Sequence, residues 1–223
     1  MKAVITADLI DSSNYGEEML NLVINRLKQE FKMIAGEQAP NDFRIYRGDS
    51  LQGVVYRPSE ALLLALRLKT AVNMLESDEK SPSSRAAAVS ADLRIAIGVG
   101  SIEVERKNIS ESNGQAFRFS GLTLDEMKYE SRKLRLKTPE ENINQEFNVS
   151  LSFLDLTTER WSTASAEVIY YLLQDKKETE IAALLKISQS AVNQRKKAAG
   201  WDAIKVLLER YEKVISEKFD NGK

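Results

Sequence analysis

The sequence predicts an α+β protein in which helices cover one face of an antiparallel sheet and a wholly helical unit follows. Three observations lead to this fold class. Short β-prone runs alternate with amphipathic helical stripes over the first 145 residues, glycines mark turns between predicted strands, and from residue 147 onward the apolar positions keep a helical spacing. With 223 residues and 43% apolar side chains, the chain can build one medium-sized domain and a second, smaller one.

The first segments follow a β-α-β-β order. They are a strand, an amphipathic helix and the two strands of a hairpin: residues 3–7, 17–35, 43–47 and 51–56. The hairpin is predicted because Gly48-Asp49-Ser50 separates two β-prone runs, and Gly and Asp are favoured in tight turns. This order brings the first strand beside the hairpin.

The next segments repeat the alternation. They are a helix begun by Pro58, a serine-rich loop, a second hairpin that turns at Gly100, a polar loop and another helix: residues 58–75, 77–90, 93–99 with 102–104, 105–114 and 119–136. Because strands and helices alternate as β-α-β-β-α-β-β-α, the sequence predicts a ferredoxin-like or palm-like layout.

Composition excludes several kinds of chemistry. The chain contains neither Cys nor His, which removes disulfides, zinc sites of the usual ligand types, thiol nucleophiles and imidazole bases. Any metal is therefore held by oxygen ligands, which favours Mg²⁺, Mn²⁺ or Ca²⁺. The apolar runs are too short to span a bilayer and the N-terminus does not look like a signal peptide, so we expect a cytosolic protein without a membrane partner.

Two aspartates fall where predicted strands end. Asp8 ends the first strand and Asp49 lies at the hairpin tip, so their carboxylates are expected to converge at one edge of the sheet. Together with the backbone carbonyl of Leu9 they form a candidate site for Mg²⁺ or Mn²⁺ bridging a triphosphate. On spacing alone, a second interpretation stays open, in which Asp8 or Asp11 caps a helix and Asp49 is a turn residue.

A phosphate-binding rim is predicted around this pair. Its candidate members are polar residues after the first strand and basic residues on the hairpin: Asp11, Ser12, Ser13, Arg44 and Arg47. Arginine and serine donate hydrogen bonds to phosphate oxygens. Solvated strand and loop residues are the alternative interpretation for each of them.

Short motifs give the first 145 residues a family resemblance. Asp8-Leu9-Ile10 and Gly48-Asp49-Ser50 resemble the two metal-binding motifs of class III nucleotidyl cyclases, and residues 94–100 and 114–120 resemble their next core strand and the start of their final helix. The resemblance implies metal-ligand roles for Asp8 and Asp49. It places Arg118 and Leu122 at two transition-state positions, where Arg118 can contact phosphate and Leu122 cannot donate a hydrogen bond.

Residues 179–195 form the most specific motif of the sequence. They resemble the helix-turn-helix of sigma-70 region 4 and LuxR-type regulators, with Ser188 capping the second helix and apolar residues spaced to bury the turn. The resemblance implies contacts to DNA bases and phosphates from Ser188, Gln189, Ser190, Asn193, Gln194, Lys196 and Lys197. A helical protein–protein module is the alternative. The whole chain resembles a bacterial family labelled SatD-like.

Charge divides in the same way as these resemblances. Residues 1–159 carry a net charge of −4 and residues 160–223 a net charge of +3. We therefore predict a nucleotidyl cyclase-like domain at 1–145, a connecting helix at 146–163 and a helix-turn-helix domain at 164–223. The main interpretation is a homodimeric DNA-binding transcriptional regulator that senses a nucleotide with Mg²⁺ or Mn²⁺. The alternative is a metal-dependent nucleotidyl-transfer enzyme, a nucleotide cyclase or second-messenger synthase, whose tail serves assembly. A third reading makes both units interaction surfaces.

Overall fold

The computed structural model describes residues 1–37, 42–46, 48–76, 91–104 and 112–220. Its strands are β1 (Lys2–Leu9), β2 (Asp42–Tyr46), β3 (Ser50–Val55), β4 (Leu93–Gly100) and β5 (Leu134–Lys137). Its α-helices are α1 (Glu17–Glu37), α2 (Ala61–Asn73), α3 (Gln115–Met127), α4 (Glu141–Thr158), α5 (Thr163–Leu172), α6 (Glu178–Leu185), α7 (Gln189–Ala198) and α8 (Trp201–Ile215). The predicted loop at 77–90 and most of the one at 105–114 lie outside the described residues.

The five strands form one sheet in the order β2-β3-β1-β4-β5. Neighbouring strands are antiparallel from β2 to β4, whereas β5 lies parallel to β4. The first four strands and the helices between them therefore have the β-α-β-β-α-β order of a ferredoxin-like fold, and β5 is added beside β4. The predicted α+β class and its ferredoxin-like sheet are confirmed.

The predicted second hairpin is wrong. Gly100 is the last residue of β4 rather than a turn, and Val104 pairs with Asn113 instead of returning along β4. Gly98 and Gly100 serve close packing, because a Cβ at Gly98 would lie 2.3 Å from the carbonyl oxygen of Ala116 in α3. The glycines thus let α3 lie directly on β4.

The predicted helix at 119–136 is also corrected. The helix α3 ends at Met127, and the last part of the predicted range belongs to β5. Leu134 and Leu136 are buried while Arg135 and Lys137 between and after them are partly exposed, which is the period of a strand rather than of a helix. The alternation of apolar and charged residues was the signal for this strand.

Helices cover both faces of the sheet, not one face as predicted. Side chains of β1 alternate, so that Ile5 belongs to the large core under α1 and α2 whereas Val4 packs with Phe117 of α3. On β4, Ala96 packs with Leu124 on the α3 side. Because β4 is buried along nearly its whole length, both of its faces need a helical cover.

The C-terminal helices pack onto the sheet domain through a buried polar cluster. The hydroxyl of Tyr170 in α5 donates to a carboxylate oxygen of Glu30 in α1 at 2.6 Å, and Arg67 of α2 donates to the other at 3.1 Å. All three residues are buried. The predicted domain boundaries stay a prediction. Across the part of the chain that the structure describes, no helix is long and apolar enough to cross a membrane.

Candidate functional site

Asp8 lies near the end of β1, on the sheet face that α3 covers. Its strand neighbours in the register are Ser50 of β3 and Arg94 of β4. One guanidinium nitrogen of Arg94 donates to both carboxylate oxygens of Asp8, each at 3.3 Å. The side chains of Asp8 and Arg94 are 14% and 19% exposed, so this ion pair is largely removed from solvent.

Asp49 lies directly beside the end of β1, in the turn between β2 and β3. The left-handed backbone of Gly48 (φ 81°) makes the turn, and the amide of Leu9 donates to the Asp49 carbonyl at 2.9 Å. The Asp49 carboxylate accepts hydrogen bonds from Ser50 at 3.2 Å and from Ser12 at 3.4 Å. The hairpin tip is therefore tied to the loop after β1, while the side chain of Leu9 is buried in the core.

Charge around Asp8 is incompletely neutralised. Burial raises the pKa of the Asp8 carboxyl above its usual value of 3.8, while the positive charges of Arg94 and Lys128 lower it and the negative charge of Asp49 raises it further. The outcome is a raised pKa, so the carboxylate form of Asp8 is less favourable here than in water. A cation between the two carboxylates would relieve both desolvation and repulsion.

The structure brings some of the predicted rim residues to this edge. Ser12 contacts Asp49, whereas Asp11 has a left-handed backbone (φ 53°) and, like Ser13, an exposed side chain. Asp11 does not cap the following turn with its side chain. Arg44 pairs with Asp42 at 3.3 Å. The predicted phosphate contact Arg47 lies outside the described residues.

Arg118 lies away from the aspartates. It stands in the first turn of α3, is half exposed and pairs with Glu103 at 3.2 Å, beyond the end of β4 that is opposite to Arg94. Leu122 is exposed on α3. The cation of this helix whose charge reaches Asp8 is Lys128, one residue past its end. The two positions implied by the cyclase resemblance therefore do not face the Asp8–Asp49 pair.

Arg94 is the residue of this candidate site that sequence reasoning did not single out. Its Nε is buried and has no hydrogen-bond partner among the described residues. A basic residue that opens an otherwise apolar strand, in a chain with an aspartate near the end of the neighbouring strand, was the available signal. The register of β1 and β4 is needed to turn that signal into a contact.

The donor set suits a hard divalent cation bound together with phosphate. Within the described ranges, no group of three or more acidic side chains could hold a metal ion by itself. Mg²⁺ commonly takes one or two carboxylates and completes its shell with phosphate oxygens and water. Asp8 and Asp49 fit that role, with Ser12 as a further hydrogen-bond donor at the edge.

A second candidate site is the pair α6–α7. The two helices are joined by Lys186, Ile187 and Ser188, with Lys186 in the left-handed region (φ 54°). Ser188 caps α7, since its hydroxyl accepts from the amide of Ala191 at 3.1 Å. Ile181 and Val192 are fully buried against Val168 of α5. The predicted cap and the predicted buried positions at 181 and 192 are present.

The outer face of α7 is polar, and part of it is already paired. Lys196 forms an ion pair with Glu178 of α6 at 3.0 Å, and Asn193 also hydrogen-bonds the Glu178 carboxylate. These contacts, chiefly the one with Lys196, lower the pKa of Glu178. The predicted DNA contacts that remain exposed are Ser188, Gln189, Ser190, Gln194 and Lys197. Ser190, Gln194 and Lys197 lie on the side of the helix opposite the buried Val192, whereas Ser188 and Gln189 are exposed at its N-terminal end.

Comparisons with solved structures find domains of similar fold. The chain is similar to the FimX GGDEF domain from Pseudomonas aeruginosa (12% identity, TM-score 0.42, covering 61% of this chain and 80% of that one). It is also similar to the DgcB GGDEF domain from Caulobacter crescentus in complex with c-di-GMP (13%, 0.41, 61% and 77%). A third is the guanylyl cyclase domain of the RhoGC fusion protein from Blastocladiella emersonii (16%, 0.39, 61% and 80%).

These likenesses do not assign an activity to the chain, because their TM-scores lie below 0.5. No family model matches the sequence, and no curated protein matches it. Membership of the SatD-like family therefore stays a prediction.

Proposed function

We propose that the edge formed by Asp8 and Asp49 binds a nucleoside triphosphate together with Mg²⁺ or Mn²⁺, and that nucleotidyl transfer is the reaction it supports. One observation carries the proposal: the hydrogen bond from the Leu9 amide to the Asp49 carbonyl ties the turn that holds Asp49 to the end of β1, so that the negative charge of Asp49 acts on the Asp8 carboxyl. Burial and the nearby Asp49 keep the pKa of Asp8 raised despite Arg94 and Lys128, which supports a carboxylate that a bound cation would stabilise.

Arg94 has a defined part in this proposal. It forms an ion pair with Asp8 at 3.3 Å, so a metal ion and Arg94 compete for the same carboxylate. Once released, its guanidinium is a bidentate donor to a phosphate group. The ion pair thus keeps the site stable without ligand and supplies a phosphate contact with ligand.

The reaction class follows from what these groups can hold. Asp8 and Asp49 would hold the cation, which would withdraw charge from the α-phosphorus of the triphosphate. A hydroxyl group of the same or a second nucleotide would form the new phosphoester bond and lose its proton to solvent, while the bond to pyrophosphate breaks. Arg118 and Leu122 do not face this edge. The negative charge of the transferred phosphate is therefore stabilised by the cation and by Arg94. We expect slow turnover with release of pyrophosphate.

Calorimetry with Mn²⁺ and a non-hydrolysable nucleoside triphosphate tests binding. Asp8→Asn and Asp49→Asn should abolish the metal-dependent heat, while the exposed Asp202→Asn on α8 should leave it unchanged. Arg94→Gln should strengthen Mn²⁺ binding without nucleotide and weaken nucleotide binding with it. Equal binding in wild type and Asp49→Asn would refute the site. Assay of pyrophosphate release then separates an enzyme from a binding domain.

A second candidate function is DNA binding by α6–α7. The observation that favours it is the capped, left-handed turn between two short helices, with an exposed face of Gln189, Gln194 and Lys197 on the second helix. Such a helix suits the major groove, where amide side chains pair with adenine edges and lysine contacts phosphate. In this case the nucleotide site would regulate DNA binding.

Fluorescence anisotropy with mixed-sequence duplex DNA at low salt tests this second function. The double variant Gln194→Ala/Lys197→Ala should weaken binding about tenfold and reduce the salt slope by about one. Lys205→Ala, which removes an exposed lysine from α8, is the control matched in charge. If the double variant and the control weaken binding equally, the binding is due to general positive charge, and α7 is not a recognition helix.

A further inference from the structure

Helices α4 and α8 share an exposed apolar surface. On α4, Val149, Phe153 and Leu156 follow a helical stripe and are 60%, 66% and 55% exposed, and on α8 Val206 is 65% exposed. A groove of about 390 Å³ runs between the two helices. Phe153 and Val206 line it together with Ala203, Leu207 and the buried residues Leu154 and Ile204. We name these eight residues the α4–α8 surface. Large apolar side chains clustered on one face mark an interaction site.

The polar groups of this face are already satisfied within the chain. The hydroxyls of Ser150, Ser152 and Thr157 donate to carbonyl oxygens of their own helix at 3.2, 2.6 and 2.9 Å. At one end of the groove, Arg210 bonds Glu146 at 2.8 Å. The surface therefore offers apolar contact rather than hydrogen bonds, which disfavours a nucleotide, a sugar or a nucleic acid as its occupant.

We propose that the occupant is a second copy of this chain, bound through a two-fold axis. On the same surface the ring of Phe153 is 66% exposed and forms part of the wall of the apolar groove, which leaves it free to pack against a groove in another chain. In a two-fold interface each surface contacts its own copy, so each Phe153 can enter the groove of the other chain. The Arg210–Glu146 pairs at the rim have equal numbers of both charges and can exchange partners across the axis.

The size of the face agrees with a weak but specific dimer. The 18 residues of α4 span about 27 Å and the 15 residues of α8 about 22 Å. Side by side they present roughly 500 Å² in projection, or about 1,000 Å² for two chains, near the lower limit of specific interfaces. A reversible dimer in the micromolar range is therefore expected. This proposal does not depend on nucleotide or DNA binding.

Sedimentation velocity over a range of chain concentrations tests the dimer. The wild type should show a reversible monomer–dimer equilibrium, and Phe153→Asp should weaken it about tenfold or more, since an exposed ring that becomes buried at an interface centre is a typical hot spot. Leu122→Asp is the matched control, because Leu122 is 63% exposed on α3, outside the surface. Unchanged thermal unfolding of both variants checks that they fold.

Cross-linking gives an independent readout, because the natural chain contains no cysteine. When Phe153→Cys and Val206→Cys chains are mixed, a short bismaleimide reagent should join one to the other, whereas Leu122→Cys chains should stay uncoupled. A wild type that is monomeric up to millimolar concentration would overturn the proposal. A dimer that survives Phe153→Asp and forms no 153–206 cross-link would overturn it as well.

Discussion

Two aspartates at the same end of the sheet, Asp8 and Asp92, have pKa values that are shifted in opposite directions. Asp92 directly precedes β4, and its carboxylate is bound by Lys69, by Lys133 at 3.1 Å and by the Asn73 amide at 2.9 Å. The carboxylate of Asp8 pairs with Arg94 at 3.3 Å, and the charge of Lys128 acts on it as well. Burial raises both pKa values, but the two lysines bring that of Asp92 below 3.8 whereas that of Asp8 stays above it.

The difference separates a structural acid from a candidate binding acid. At Asp92 the positive charges of Lys69 and Lys133 outweigh the effect of burial on the pKa. The folded chain therefore stabilises this carboxylate without a bound cation. At Asp8 the effect of burial exceeds that of Arg94 and Lys128, and the nearby acid Asp49 raises the pKa further. An added cation would therefore stabilise the Asp8 edge and gain little at Asp92.

The largest expected effect comes from Asp92→Ala. Lys69 is fully buried, so loss of its partner leaves an uncompensated charge in the core. We expect the free energy of unfolding at neutral pH to fall by about 3 kcal/mol, measured by urea denaturation. Asp125→Ala, which removes an exposed i,i+3 partner of Lys128, is the control and should change it by less than about 0.5 kcal/mol. Similar losses in both variants would contradict the structural role of Asp92.

The acid limb of the stability profile is the next effect. Because its pKa is lowered on folding, Asp92 contributes stability that is complete above its unfolded pKa and is lost as the pH falls through the folded pKa, below 3.8. Asp8 has the opposite sign: its ionised form costs stability above the raised pKa, and the cost is relieved on acidification. Urea midpoints between neutral and acid pH should therefore converge for wild type and Asp92→Ala. A constant gap would argue against this assignment.

A smaller effect is expected for Lys133→Gln. Lys133 is partly exposed and pairs with Asp92 at 3.1 Å and Glu159 at 3.4 Å, but Lys69 remains at Asp92 when it is removed. The free energy of unfolding should fall by about 1 kcal/mol, the upper range for an accessible ion pair. The same urea titration measures it, and a loss as large as that of Asp92→Ala would show that Lys133, not Lys69, is the main partner.

The smallest stability change is expected for Asp8→Asn. The amide oxygen still accepts from Arg94, and the neutral side chain avoids the desolvation that raises the Asp8 pKa. Stability should stay within about 0.5 kcal/mol of wild type or rise, measured by urea denaturation without metal. A loss above about 2 kcal/mol would place Asp8 with Asp92 as a structural acid. Loss of ligand binding without loss of stability would complete the contrast.

Local patterns predicted much of the fold because their physical causes are local. The hairpin around Gly48, the helix after Pro58 and the cap at Ser188 each depend on a few neighbouring residues. The turn predicted at Gly100 was wrong, because a glycine in a turn and a glycine required for close packing have the same local sequence pattern. The strand β5 was missed because its two leucines were assigned to the preceding helix.

The sequence by itself determined the order of the first four strands and the two helices between them, the absence of thiol and imidazole chemistry, and the acidic residues at strand ends. The tertiary structure decided which of those acids is neutralised. Lys69 contacts Asp92 from α2, and Arg94 contacts Asp8 from the neighbouring strand β4. Both contacts therefore depend on helix packing and strand register rather than on spacing along the chain. Charge balance at a carboxylate depends on distance and burial, and these exist only once the chain has folded.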